Sequence, residues 1–337
     1  MGLPKAKPQK ANSTTMPNYK KISKNIEEIT IDNPKTLKEK LIWLNVGNAG
    51  KKESEFLRKK YNFDLKHLQA SLAAKTAQRP MAEQSENYLF IILHFPVLAK
   101  GEISAGEIDF FVGHGYLVTL HNNNLEALNG FFNFCRKEDN SLLAYKFESS
   151  AILLYELLEK LMLSCYSLLD QNSIAISEAE KIIFSQNQKE AVSKILSLKR
   201  NIINFRKIMQ NHKNILKGLT EMKSSLVPEN EIKKYYYHLV EHSKRIWEFL
   251  ESQKEMIDAL NATNESLLNY RLSDIMKTLT IFSVIVFPLT LLAAIFGMNT
   301  LNGMPFVETE SGFWIIIAIM LIGCLGMLAF FEKKKWL

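Results

Sequence analysis

KTLTIFSVIVFPLTLLAAIFGMN, residues 277–299, decides how the rest of the chain is read. It is apolar from just after Lys277 to Phe296 and breaks at Gly297-Met298-Asn299. A second apolar run, FWIIIAIMLIGCLGMLAFF, covers residues 313–331 and leads into Glu332-Lys333-Lys334-Lys335-Trp336-Leu337. Each run is close to the ~20 residues of helix that cross a bilayer core. The loop between them has no Lys or Arg and carries Glu308 and Glu310, whereas Arg271 and Lys277 precede the first run and Lys333 to Lys335 follow the second. An excess of basic residues marks the cytoplasmic side. Both termini are therefore expected in the cytoplasm and the short loop outside, with nearly all the mass on one side of the membrane.

Working back from this pair of spans, residues 231–296 contain no Gly, and Pro288 is their only Pro. At ~1.5 Å per residue, one helix over this length would be on the order of 100 Å long. Leu239, Ile246, Leu250, Ile257, Leu260 and Leu267 fall near heptad a and d positions, which predicts self-association along the helix. Gln253 and Asn264 interrupt that seam and predict polar layers within a bundle. Before Pro228, two more helices are expected, Ser149 to about Ser185 and Glu190 to Leu219, the latter with Leu196, Ile203, Phe205 and Met209 among its apolar positions.

Further upstream the period changes. Ile26–Asp32, Leu41–Val46, Tyr88–Phe95, Ile108–Val112 and Tyr116–Leu120 read as strands, the last two forming a hairpin around Gly113-His114-Gly115. Asn33-Pro34 marks a turn followed by a short helical piece, and Glu53–Lys60 and Leu65–Ala74 have helical spacing. The expected organisation is a disordered basic tail over 1–25, a cytoplasmic α/β domain with a partly antiparallel sheet over 26–148, and a helical stalk over 149–276. A transmembrane domain over 277–331 follows (first span and filter 277–298, external loop 299–312, second span 313–331), then a basic cytoplasmic tail over 332–337.

The chain has 337 residues and a net charge of +7, and its N-terminal 25 residues hold Lys5, Lys7, Lys10, Lys20, Lys21 and Lys24 without an acid. Such a segment is a solvated tail or a contact for anionic lipid; no nucleic-acid partner is expected. It has no apolar stretch of the kind that a cleavable signal needs. Cys135, Cys165 and Cys324 are scattered and odd in number, so neither a disulfide framework nor a zinc spacing is expected, and a reduced compartment fits. His67, His94, His114 and His121 have no nucleophile at a useful spacing, and there is no Walker-type loop. No catalytic residue and no organic cofactor are expected.

Along the first span, alternating steps of three and four pass through Ser273, Met276, Thr280, Ser283, Phe287, Thr290, Ala294 and Gly297. One face thus carries four hydroxyls. Such a face is either a packing surface whose hydroxyls bond back to the helix, or a pore lining. A lone helix encloses nothing, but several copies around an axis do. No carboxylate occurs from Lys277 to Val307, so nothing charged is present to strip water from a divalent ion.

Gly297-Met298-Asn299 at the outer end of the first span resembles the G-M-N signature of the CorA family of magnesium channels. So do Met276-Lys277-x-Leu279-Thr280-Ile281, Pro288-Leu289-Thr290 and the final Lys-Lys-Lys-Trp-Leu. Gln78-Arg79-Pro80 and Phe110-Phe111-x-Gly113 are similar to the family's cytoplasmic domain. The resemblance implies a homopentameric channel of the inner (plasma) membrane that transports Mg²⁺ and is held closed by cytoplasmic Mg²⁺. It implies a filter of Gly297, Met298 and Asn299, with the Asn299 amides accepting hydrogen bonds from the waters of a hydrated ion. Gly297 is expected to allow the tight turn that ends the helix. The resemblance also implies apolar constrictions at Met276 and Leu279 and at Phe287. Glu308 and Glu310 would line the external mouth and concentrate cations there. Ser273 stands where relatives carry an Asn ring, Ala294 where they often carry Gly, and the loop acid is displaced beyond Met304-Pro305. Ungapped carry-over puts His238 in place of a sensor carboxylate, with Glu241 and His242 one turn on, so these three are the expected regulatory metal ligands. Imidazole suits Zn²⁺, Co²⁺ or Ni²⁺ better than Mg²⁺. Two alternatives stay open: a Zn²⁺, Co²⁺ or Ni²⁺ transporter on the same architecture, and a membrane-anchored scaffold that transports nothing.

Overall fold

The structure, a computed structural model, describes residues 18–32, 40–72, 78–138, 140–185, 187–221, 229–298, 305–306 and 309–336. The chain divides into two compact units, residues 1–260 and 261–337.

In the first unit a seven-stranded sheet is built from β1 (Asn18–Lys21), β2 (Ile26–Asp32), β3 (Lys40–Gly47), β4 (Met81–Gln84), β5 (Tyr88–Ala99), β6 (Glu102–Gly113) and β7 (Tyr116–His121). The order is β1-β2-β3-β7-β6-β5-β4, and only β3 and β7 run parallel. The partly antiparallel sheet expected from the sequence is present. Strand β5 is apolar almost throughout because both of its faces are covered, and successive side chains point to opposite sides. Leu89, Ile91, Leu93 and Phe95 pack on one face, with Trp43, Phe131, Phe132 and Leu154. Tyr88, Phe90 and Ile92 pack on the other, with Phe63 and Leu68. Helices α1 (Lys51–Tyr61) and α2 (Leu65–Leu72) cover this second face, while α3 (Glu126–Lys137), α4 (Asn140–Lys146) and α5 (Ser150–Phe184) lie on the first. Trp43 sits 5.6 and 5.0 Å from the rings of Phe131 and Phe132 and donates its indole N–H to Thr119 Oγ1 at 3.2 Å.

Three expectations change. The basic tail does not extend to residue 25: Asn18–Lys21 is β1, where Lys20 and Lys21 stand opposite Glu28 and Glu27 of β2. The side chains of those acids are held by other groups, Glu28 by Lys60 Nζ at 2.8 Å and Glu27 by the Tyr19 hydroxyl at 2.7 Å. Residues 1–17, the Asn33-Pro34 turn and the helical piece after it lie outside the described residues. The helix expected over Glu190–Leu219 is two, α6 (Gln188–Met209) and α7 (His212–Glu221), because the chain turns at Gln210-Asn211 to set His212 edge-on against Phe95 at 5.1 Å. Upstream of them, β5 and β6 form a further hairpin beyond the one expected from the sequence, joined by Lys100-Gly101, both at positive φ (52° and 80°). A two-residue hairpin loop with positive φ at both positions matches the twist of the strands, and Gly fits it without strain.

The third change concerns the longest helix, α8 (Glu229–Phe296), 68 residues with Pro288 inside it. The first part of its heptad seam is occupied within the chain, while Leu260 and Leu267 further on are only half-buried. Tyr236, Leu239, Ile246 and Leu250 are buried in the core that also holds Leu154, Leu158, Leu161 and Leu169 of α5 and Phe205 of α6. Gln253, one of the seam's polar residues, is satisfied inside the chain: its amide donates to the Leu169 carbonyl (2.7 Å) and Ser173 Oγ (2.9 Å) and accepts from Asn172 (3.4 Å). Arg206 of α6 pairs with Glu251 and lies over the Trp247 ring at 4.9 Å. At its start, α5 is fixed to the sheet by Ser150, whose hydroxyl donates to the Gly113 carbonyl at 2.7 Å.

Asp109 of β6 is buried in this frame, with Oδ1 unpartnered, beside a cavity of 10 Å³ lined by Ser71, Glu107 and His121. Burial raises its pKa to about 7. A folded-state pKa above the unfolded value contributes stability that is complete below pH 3.8 and is lost as pH rises through about 7. Asp109→Asn is therefore expected to raise the thermal midpoint at pH 8, by the equivalent of a few kcal/mol at most, and to give no gain at pH 4. A gain of equal size at both pH values would show that the charge on Asp109 is not the cause.

Candidate functional site

The second unit contains the end of α8 and the helix α9 (Gly312–Lys333). Both helices are long and apolar enough to cross a membrane, and almost none of either apolar stretch is buried within the chain. A core helix of a water-soluble domain would be buried, so this apolar surface calls for lipid or for other copies of the chain. Within the unit, Ile281 of α8 and Phe331 of α9 are buried, and Lys277 Nζ lies 3.4 Å from the Lys335 carbonyl.

The residues of the expected pore stripe from Ser273 to Ala294 fall on α8, which ends just before Gly297. Met276, Leu279 and Phe287 are exposed, as are Ser273, Thr280 and Thr290, while Ser283 is half-buried. The Thr280 hydroxyl donates to the Met276 carbonyl (2.8 Å) and that of Thr290 to the Val286 carbonyl (2.9 Å). The back-bonding expected of a packing face is thus present at two positions. It is compatible with a pore lining as well. Once its proton is used by the helix, a hydroxyl presents only lone pairs, which accept from the waters of a hydrated cation.

Helix α8 ends at Phe296, with the Gly297 amide donating to the Ala293 carbonyl at 2.9 Å and Met298's to Ile295's at 3.2 Å. Gly297 is not in the left-handed conformation expected of a terminating glycine; among the described glycines, Gly101 and Gly115 are the ones with positive φ. Its role is steric. A Cβ at Gly297 would lie 3.1 Å from the Ala293 carbonyl oxygen. Met298 is exposed. Asn299 and Glu308 lie outside the described residues, and Glu310 is exposed. At the start of α9, Gly312 is buried, and a Cβ there would lie 1.9 Å from the Phe306 carbonyl oxygen.

The C-terminal tail has a structural role that the sequence reading missed. Lys335 adopts a left-handed φ of 55°, its amide donates to the Glu332 carbonyl (2.9 Å), and Trp336's donates to that of Phe331 (3.0 Å). The Trp336 ring stacks on Phe331 at 5.9 Å. This is a Schellman cap with its apolar clasp, made with Lys where Gly is usual.

The expected regulatory trio is only partly brought together. His238 and His242 meet on one face of α8, with ring centroids 4.5 Å apart. Glu241 is exposed and is not part of the group; the acid that joins it is Glu159 of α5. Burial, and then the neighbouring His238, lower the pKa of His242. The other histidines serve the sheet domain. His67 meets Tyr88 Oη at 2.7 Å, His94 Nε2 lies 3.0 Å from Glu107, and His121 Nε2 lies 2.9 Å from Asn45 Oδ1.

The family profile described as CorA-like Mg²⁺ transporter protein matches residues 38–334. The chain belongs to this family. The cobalt/magnesium transport protein CorA of Thermotoga maritima is 27% identical over 265 residues, covering 77% of this chain and 73% of that protein. The structure of the CorA magnesium transporter from Methanocaldococcus jannaschii superposes with a TM-score of 0.78 at 21% identity, over 88% of this chain and 92% of that one. The ZntB cytoplasmic domain from Vibrio parahaemolyticus superposes with a TM-score of 0.52 at 16% identity, over 68% and 88% respectively. The two structural matches speak to the fold alone. Membership makes the chain a membrane transporter of divalent metal ions, and no enzymatic activity is expected of a member of this family.

Since a Cβ at Gly297 would press on the Ala293 carbonyl oxygen, which must give way slightly to admit it, Gly297→Ala is expected to reduce divalent-ion uptake by proteoliposomes at least about tenfold while leaving thermal stability unchanged. Wild-type uptake in this variant would remove the steric role assigned to the glycine.

Proposed function

We propose that the chain is the subunit of a homopentameric channel that admits Mg²⁺ across the inner membrane, with both termini cytoplasmic. Its partners are then its own copies, the bilayer and the ion. The observation that carries this reading is the chemistry of the first span: Gly297-Met298-Asn299 at its outer end, and no carboxylate from Lys277 to Val307. Mg²⁺ holds its octahedral waters tightly. A ring of Asn299 amides and a stripe of hydroxyl oxygens offer acceptors to those waters and nothing that competes with them for the metal.

The energy source is the membrane potential. Each unit charge gains ~2.3 kcal/mol per 100 mV, so a divalent ion gains about twice that, on the order of a thousandfold in accumulation. Exposed Met276, Leu279 and Phe287 supply apolar rings able to close the path by dewetting. Closure by cytoplasmic Mg²⁺ belongs to the same proposal and rests on the family resemblance.

The test is ion flux into proteoliposomes of the purified full chain under an inside-negative potential, with internal Mg²⁺ chelated and Mg²⁺, Co²⁺, Ni²⁺ and Zn²⁺ compared. Mg²⁺ entry is expected, and Asn299→Ala is expected to cut it at least about tenfold or to abolish discrimination among the ions. Entry of Zn²⁺, Co²⁺ or Ni²⁺ without Mg²⁺ would transfer the protein to the transition-metal reading. No flux of any ion would favour the scaffold.

A further inference from the structure

Glu159, His238 and His242 lie together in the first unit, remote in sequence from the G-M-N motif. One ligand atom from each falls within 4.8 Å of the others. His238 and His242 are four residues apart on α8, the spacing at which two histidines on one helix face share a zinc ion. The carboxylate arrives from α5, with Glu159 Oε1 3.7 Å from His238 Nδ1. Ligand atoms around a tetrahedral Zn²⁺ stand about 3.3 Å apart, given bonds of about 2.0–2.1 Å, so small side-chain rotations close the set.

The surroundings are those of a held site. The Tyr166 hydroxyl lies 3.0 Å from His242 Nδ1 and orients that ring, while Tyr155 donates to Glu159 Oε1 at 3.0 Å. Outer partners of this kind fix metal-binding imidazoles and carboxylates. Glu159 is largely buried and His238 more than half exposed, at 22% and 55% of side-chain surface, which leaves an entry path and room for a water as fourth ligand.

We propose that Glu159, His238 and His242 bind one first-row transition-metal dication, Zn²⁺, Co²⁺ or Ni²⁺, in each chain, tying α8 to α5. Two imidazoles and one carboxylate suit these ions. Mg²⁺ prefers oxygen ligands in an octahedral set and is excluded. This site is independent of the transport reading, since it needs no pore and no second copy.

The test uses Co²⁺ as the probe. The untagged full chain in detergent is titrated with Co²⁺ in several millimolar Mg²⁺, reading the visible d–d absorption that reports geometry and nitrogen ligation. One intense band saturating at one Co²⁺ per chain is expected, displaced by Zn²⁺ and not by Mg²⁺. His238→Ala and His242→Ala should each weaken binding at least about 100-fold, and Tyr166→Phe about tenfold, as for an outer partner. His238 is exposed enough that its replacement leaves the fold in place, and circular dichroism verifies this. An unchanged titration in the His238→Ala, His242→Ala double variant, or no absorption beyond that of hydrated Co²⁺, overturns the assignment. Neither result depends on whether the protein moves ions.

Discussion

A bilayer core offers no hydrogen-bond partner to a peptide group, and the second unit depends on that constraint. A segment that enters must carry its own backbone pairing, and a helix does this residue by residue. Helix α8 meets the condition by continuing as one helix from the first unit, so its apolar part needs no new nucleation. Pro288 is the interior position with no N–H to give. Where α9 ends, the problem returns as orphan carbonyls. The Phe331 and Glu332 carbonyls are taken by Trp336 and Lys335. The left-handed Lys335 is unfavourable for a residue with a Cβ, and the stacking of Trp336 on Phe331 offsets it. The basic tail therefore acts as a helix cap in addition to any electrostatic role.

In the first unit the same accounting is done by side chains. Gln253 stands on a helix seam that is otherwise apolar, and a buried amide without partners would be costly. Leu169, Ser173 and Asn172 satisfy it. Such a polar layer fixes how α8 is rotated and shifted against α5, because sliding by one turn would strand the amide. That register in turn places His238 and His242 beside Glu159.

Much of this was legible in the sequence, and what was not has identifiable causes. The two spans, the sheet and the length of α8 follow from runs of apolarity and from the absence of Gly, which are local properties. The burial of Leu239, Ile246 and Leu250 was legible as well; its partner was not. A heptad pattern states that a helix has a partner but cannot say whether the partner is another copy or α5 of the same chain. Helix α3 was less legible although Leu128, Phe131, Phe132 and Cys135 recur at helical spacing, because Asn129-Gly130 interrupts that short run with two poor helix formers. In the metal cluster, His238 and His242 were visible as an i, i+4 pair. Glu159 was not, since it lies on α5, far upstream of His238, and nothing local links the two helices. The Schellman cap was hidden because its diagnostic residue is normally Gly.

The distribution of donor atoms along the chain bears on how the two proposed metal chemistries coexist. From Lys277 to Met298 there is no His, Cys, Asp or Glu, so the span offers only hydroxyls, carbonyls and apolar surface. Conduction requires an ion to leave as readily as it enters, and weak contacts through a retained water shell satisfy that. Nitrogen ligands do the opposite: they replace water and hold the ion. A span lined by imidazole would trap transition-metal ions, which bind nitrogen ligands more tightly than Mg²⁺ does. Keeping His238 and His242 in the unit that carries none of the pore stripe allows tight binding of one class of ion without blocking passage of the other. The segregation is the physical reason that both proposals can hold for one chain.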